Sequence, residues 1–343
     1  MKISSLVKYA LAVATGAALL AGCSNNGGSS VAPSAATGMS GIGHIGRTVI
    51  EHGLLVTAEH PNLGVRGPIS PDKKHHKKKK ADQYISNFSG SSLDEFDYPK
   101  SDASIGTISG VTDAQGECTN VLYGVGKKTF WVTASGSDAI DEFDVGGSSP
   151  IKTLTTSAGE PVGCAIDPST GDLVGTIIEN GEVVTWANGT GTGTVSQTPL
   201  IEAFFAGFDK SGNLYVDGFN SGDVFALVEL KKGSGSWETL STSNTVEFPG
   251  QVQFDGTYVT VNDQDAHAIF GYTCSGTTCT LEQTVALTGS SDCDQTWIAK
   301  GYVICPDAGN NDGEIFKYPA GGSIVATLTG SFDEPLAASA EAK

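Results

Sequence analysis

A stretch of about nine residues returns six times in this chain, and its last copy lies at the C-terminal end. The copies are GECTNVLYG (Gly116–Gly124), GEPVGCAID (Gly159–Asp167), EAFFAGFD (Glu202–Asp209), EFPGQVQFD (Glu247–Asp255), SDCDQTWIA (Ser291–Ala299) and DEPLAASAE (Asp333–Glu341). Their end positions are separated by 43, 42, 46, 44 and 42 residues. A period of roughly 40–45 residues built from short alternating strands is the pattern of a propeller blade, a unit that buries its apolar face only by stacking on its neighbours.

The segments between the copies fit that pattern. A second strand follows each of the first five: TFWVTA (Thr129–Ala134), DLVGT (Asp172–Thr176), NLYVD (Asn213–Asp217), TYVTVN (Thr257–Asn262) and GYVIC (Gly301–Cys305). Third strands come next, at Ala139–Asp144, Glu182–Ala187, Asp223–Leu227, Ala268–Tyr272 and Glu314–Tyr318. Weaker fourth strands include Ile151–Thr156, Thr280–Leu287 and Ser323–Leu328. They are rich in β-branched and aromatic residues and bounded by Gly, Asp and Asn turns such as DPSTGD and DKSGN. At the N-terminal end, Asp82–Asn87, Ser92–Tyr98 and Ala103–Ile108 match the second, third and fourth strands, with no first strand before them. The unpaired first-strand motif is Asp333–Glu341. The expectation is an all-β, six-bladed propeller with four-stranded blades, closed by the C-terminal strand pairing with the N-terminal blade and leaving no long exposed edge.

The propeller is expected to span residues 82–343. Residues 1–23 read as an export signal, with Lys2 and Lys8 before an apolar run that is too short to span a membrane. The closing Leu20-Ala21-Gly22-Cys23 resembles a bacterial lipobox, which implies cleavage before Cys23, lipid on its sulfur and a place in the cell envelope. Ser24 after the cysteine favours the outer membrane. Residues 24–81 read as a low-complexity tether, rich at first in Ser, Gly, Ala, Asn and Pro. It ends in KKHHKKKK (Lys73–Lys80), a solvated run suited to anionic lipid, cell-wall polymer or the acidic propeller itself.

Charge divides sharply along the chain. Of the 38 acids only three precede Asp82, which leaves 35; of the 20 basic residues ten precede it, which leaves ten lysines and a balance of −25. A domain so acidic repels phosphate backbones, and nucleic acid is excluded as its partner.

The blocks GEPVGCAIDPSTGDLV (Gly159–Val174), AGFDKSGNLYV (Ala206–Val216) and the shorter EFPGQVQFDGTYVTV (Glu247–Val261) resemble the NHL-type six-bladed propellers. The resemblance implies architecture rather than one activity, because propellers of this kind include binding modules, lyases and lactonases. Gluconolactonase-type relatives hold calcium on the central channel with a Glu, two Asn and an Asp. Glu117, Asn120, Glu160, Asp292, Asp294 and Asp333 stand near such positions without completing that set. Lyases of this fold lean on histidines, and this domain has one, His267, beside Asp263 and Asp265.

Six cysteines lie in the propeller, an even number that implies disulfides in an exported protein, with 15 pairings open. The repeat alignment brings Cys274 near Cys279 across a hairpin, Cys293 near Cys305 within one blade, and Cys118 near Cys164 on successive first strands. The leading expectation is a monomeric, lipid-anchored binding or scaffolding module with no cofactor, contacting a protein, glycan or small ligand through one rim. Trp186, Trp237, Trp297 and Phe219 are its aromatic candidates. The competing expectation is a calcium-dependent lactonase or esterase working from the central channel.

Overall fold

The computed structural model describes residues 82–99, 102–119 and 128–340. The export signal, Cys23, the tether, its basic run and Asn120 lie outside them. The described chain is almost wholly β. It begins with β1 (Asp82–Asn87), β2 (Ser92–Asp97) and β3 (Gly106–Ser109), then β4 (Ala114–Thr119), β5 (Thr129–Ala134), β6 (Ala139–Asp144) and β7 (Lys152–Thr155). Next come β8 (Pro161–Ile166), β9 (Leu173–Ile177), β10 (Glu182–Trp186) and β11 (Thr194–Gln197), then β12 (Glu202–Phe208), β13 (Leu214–Phe219), β14 (Phe225–Leu230) and β15 (Trp237–Thr242). The last are β16 (Pro249–Phe254), β17 (Val259–Asp263), β18 (Ala268–Ser275), β19 (Thr278–Thr288), β20 (Trp297–Ala299), β21 (Tyr302–Asp307), β22 (Asp312–Lys317), β23 (Gly322–Ser323), β24 (Ala326–Leu328) and β25 (Ala338–Ala340).

These strands pair as antiparallel meanders in chain order. Separate four-stranded sheets are β4-β5-β6-β7, β8-β9-β10-β11 and β20-β21-β22-β24. Two further meanders, β12 to β15 and β16 to β19, join edge to edge through parallel bridges between β15 and β19. The fourth separate sheet has the order β25-β1-β2-β3, so the C-terminal strand fills the missing first position, with Gln83 opposite Ala340 and Ile85 opposite Ala338. The first strands touch in the cycle β25, β4, β8, β12, β16, β20 and back to β25. The protein is a β-propeller.

The structure corrects the repeat at two points. Gly116 occupies the place of Gly163, not of Gly159: each lies at the bulge of a first strand and donates its N–H to the threonine opposite, Thr133 at 2.7 Å and Thr176 at 3.0 Å. The first copy is thus four residues out of frame with the others. Fourth strands also form at β11 and β15, where polar outer-edge sequence gives little alternation, while Ser323–Leu328 splits into β23 and β24.

One device recurs around the ring. A small polar side chain on the second strand takes the N–H of the bulged first strand: Ser86 from Ala337 at 2.8 Å, Thr133, Thr176, and Asp217 from Phe205 at 3.0 Å. Thr176 also donates to the carbonyl of Phe204 in the next meander at 2.5 Å, and Asn262 donates across to Cys293 at 2.6 Å. Each pin satisfies a buried backbone group that the bulge would leave unpaired. The first strands lie so close that a Cβ on Gly116 would stand 2.4 Å from the carbonyl oxygen of Val162, and one on Gly163 2.4 Å from that of Phe204. Apolar residues of facing sheets fill the space between meanders, as where Trp131 and Ile140 pack with Leu173 and Trp186.

The antiparallel order creates two rims. One carries the turns from first to second and from third to fourth strand. Both ends of the described chain, Asp82 and Ala340, lie there, and it is called the terminal rim below. The other carries the turns from second to third strand and the passages between meanders, and is called the crossover rim.

Candidate functional site

The axis is closed by glutamines. Gln295 brackets Glu117 with two bonds of 2.5 Å, one from its peptide N–H and one to its carbonyl. Gln253 does the same for Ile298 at 2.8 and 2.9 Å. Gln251 donates to Val252 at 2.7 Å and to Ala206 at 3.3 Å. These side chains add to the few backbone bonds between first strands, such as those joining Gln251 to Asp294 and Gln295 to Leu336. Toward the terminal rim a cavity of about 30 Å³ remains, lined by Cys118, Cys164, Gln253 and Trp297 among others. Toward the crossover rim a cavity of about 20 Å³ remains, lined by Gln115, Val162, Ile178, Phe204, Phe205, Asp294 and Leu336. Each has room for a water or two, far below the ~300 Å³ at which ligand pockets begin. Phe204, Phe205, Phe219 and Phe248 stand over that end in a buried edge-to-face cluster.

The sequence-predicted metal set does not converge. Glu117 is buried against the closing sheet and accepts from the Ser339 hydroxyl at 2.5 Å; burial pushes its carboxyl up to about 8. Glu160 lies beside Glu179 at the crossover rim. Asp333 is exposed there and donates its N–H to Asn87 at 2.6 Å. Asp294 is 1% exposed with the Gln264 side chain beside it, and Asp292 is half-buried further along the same segment. Calcium asks for six to eight oxygens, and in the cavity of Asp294 the only other polar lining residue is Gln115. Those residues do not fit the ion. One other group of candidate donors lies close together, Cys293, Cys305, Asp307 and Glu314. Its sulfurs are bonded to each other, and the oxygens of Asp307 accept from Ser291, Asp292 and Asn310.

On the terminal rim several acids have partners. Asp167, Asp209 and Asp255, the last residues of three repeat copies, close the first-to-second turns. Asp209 accepts from Ser211 at 2.8 Å, Asn213 at 2.9 Å and the Asn213 amide at 2.8 Å; Asp255 accepts from Thr257 and Tyr258, both at 2.7 Å. Burial alone would raise the carboxyl of Asp167, but hydrogen bonds from Ser169 and Thr170 and the charge of Lys232 hold it below the usual carboxylate range. Lys152 meets Glu142 at 2.9 Å, and Lys231 meets Glu238 at 2.5 Å. A cavity of about 270 Å³ opens beside Trp131, Glu142, Lys152, Asn188 and Thr190. Its ammonium is already held by Glu142, by the Gly189 carbonyl at 2.9 Å and by the Trp131 ring at 5.2 Å.

On the crossover rim the acids crowd one another. Burial, then the charges of Glu179, Asp138 and Asp113, push Glu160 up to about 7. Burial and Asp223 do the same to Glu202, and burial with Asp307 and Asp312 to Glu314, each up to about 7. Asp294 is raised well above its ordinary value by burial and then by Asp292, Glu334 and Asp307. Glu202 and Glu314 each keep one buried oxygen without a donor. All seven described lysines, at 128, 152, 210, 231, 232, 300 and 317, lie on the terminal rim, and none of them lies on the crossover rim.

The remaining candidates are structural. Trp186, Trp297 and Phe219 are buried packing residues, and the Trp237 indole bonds Ser196 at 3.0 Å. His267 is an exposed turn residue at φ 48°, and Asp263 beside it accepts from Glu247 at 2.8 Å and Ala266 at 3.1 Å. Disulfides join Cys118 to Cys164 across β4 and β8, Cys274 to Cys279 across the β18–β19 hairpin, and Cys293 to Cys305. Sequence reasoning missed the axial glutamines. Their signal is a polar residue, as in Gln251-Val-Gln253, inside a strand otherwise built for burial.

No family model matches the chain, and no curated protein does. Solved structures do. The chain is similar to one in a crystal structure of a nidogen/laminin complex, with TM-score 0.59 and 14% identity, covering 76% of this chain and 98% of that one. It is also similar to hydrazine synthase of Kuenenia stuttgartiensis, with TM-score 0.50 and 12% identity, covering 68% of this chain and 72% of that one. At such identities the likeness shows the fold alone, and that fold is the β-propeller.

Proposed function

We propose that this chain is a six-bladed propeller held at the bacterial outer membrane by lipid on Cys23, and that it works as a binding or scaffolding module. Support for the blade count comes from the separate four-stranded sheets and the two meanders that share an edge. Support for the anchor comes from the order of basic start, apolar run and Leu20-Ala21-Gly22-Cys23. The observation that carries the binding role is the closed axis: its cavities of about 30 and 20 Å³ leave the rims as the surfaces able to meet a partner. A propeller neighbour solved in a complex of nidogen with laminin accords with that role.

The test is twofold. Lactones and simple esters are offered to the purified chain with and without calcium, and partners are sought by cross-linking on intact cells. The binding role predicts no turnover in either condition and a discrete cross-linked species. Calcium-dependent turnover, abolished by Asp294→Asn, would replace it with a hydrolase.

A further inference from the structure

We propose that the crossover rim is the docking face for the basic run Lys73–Lys80 of a second copy of this chain. The inference rests on the binding role above and names a partner for it. The run carries six lysines in eight residues, while the crossover rim carries acids and no described lysine.

The rim also lacks donors that a lysine would supply. Glu314, 1% exposed, and Glu202, 9% exposed, each have one oxygen without a donor. Buried carboxylate oxygens are normally paired, and the terminal rim meets that rule through its turn N–H groups and lysines. Beside Glu202 and Asp223 stand two exposed apolar side chains, Ile201 at 37% and Val224 at 59%. An apolar patch bordered by acids suits a lysine, whose methylenes lie along the patch while the ammonium reaches the carboxylate.

Reach decides which copy supplies the run. The chain joins the propeller at Asp82 on the terminal rim, where β1 starts on the inner side of its sheet. Rising along six strand residues takes about 20 Å, and passing around the outer strands adds about 10 Å in each direction. Lys80 lies two residues from Asp82, within about 7 Å, and Lys77 within about 18 Å. The dense end of the run therefore cannot reach its own crossover rim. A neighbouring copy, concentrated on the same membrane by its lipid, can offer it.

Full-length protein grown in ¹⁴N and in ¹⁵N would be mixed and treated with a water-soluble carbodiimide, which joins a lysine amine directly to a carboxylate in contact. The expected result is mixed-label peptides linking Lys73–Lys80 to crossover-rim acids such as Glu202, Asp223 and Asp292. Their yield should fall about tenfold in roughly 0.5 M salt, where charges are screened within a few ångströms. The same loss is expected when Lys77–Lys80 are changed to serine, substitutions outside the described fold. Links only within one label, links confined to terminal-rim acids such as Asp172, or an unlinked run that binds phosphatidylglycerol vesicles instead would each overturn the proposal. Any of these would remove self-association without touching the binding role, which stands or falls on the turnover and partner experiments.

Discussion

The two rims are built from the same repeat and differ in their electrostatics. On the terminal rim the aspartate that ends a repeat copy is surrounded by turn N–H groups, so Asp167, Asp209 and Asp255 each accept hydrogen bonds from their own turns. Lysines stand among them. On the crossover rim, passages between meanders press Glu160, Glu202, Asp294 and Glu314 against other acids, and burial strips them of water. The lesson is that an acidic composition is not one property. Aspartates close turns at both rims, as Asp263 and Asp307 do on the crossover side, but there Glu160, Glu202 and Glu314 are also buried against other acids and hold their protons more tightly.

The largest expected effect tests the staple beside the terminal end of the axis. Replacing Cys118 and Cys164 with serine frees a loop of 46 residues and should cost about 4 kcal/mol by loop entropy, read in denaturant unfolding. A loss below about 1 kcal/mol would mean that the first-strand ring holds this end without it. Next, Asp209→Ala removes three hydrogen bonds to a carboxylate and should cost about 2–3 kcal/mol, whereas Glu202→Gln on the other rim should cost less than about 0.5 kcal/mol or stabilise. Equal losses would erase the distinction between the rims.

Stability should also depend on pH, and the sign differs between rims. Glu160, Glu202 and Glu314 hold protons to about 7 and Glu117 to about 8 in the folded protein, against about 4.3 in an unfolded chain. The native state therefore keeps protons that the unfolded state has lost, and stability falls as pH rises from about 5 through 8. Asp167 is held low, and its contribution is present above its unfolded value and lost as pH falls. Glu202→Gln with Glu314→Gln should flatten the alkaline limb, and Asp167→Asn the acid limb. A stability profile flat across that range would contradict the first sign.

Much of the architecture was legible in the chain. Period-two runs such as Thr129–Phe130-Trp131-Val132 and the orphan motif at Asp333–Glu341 foretold the meanders and the closing strand, since both are local patterns of side-chain alternation. The fourth strands β11 and β15 were harder, because an outer strand with one solvated face need not alternate cleanly. The first repeat was misframed because Gly116 and Gly163 are matched by close approach to the next first strand, a tertiary constraint. Cysteine pairing followed from the repeat, but the site did not. Trp186 and Trp297 looked like rim aromatics and are core; the inward or outward choice depends on the neighbouring meander. The segregation of lysines needs only the turn order, and was readable once Lys128, Lys210 and Lys300 were placed at first-to-second turns.

The most direct test is a carboxyl carbon NMR titration of the folded protein, with Glu202, Glu314 and Asp167 assigned by single amide substitutions. The account predicts that Glu202 and Glu314 titrate near pH 7 while Asp167 titrates below the ordinary carboxylate range. If all three titrate together near pH 4, the rims are electrically alike and the account is wrong.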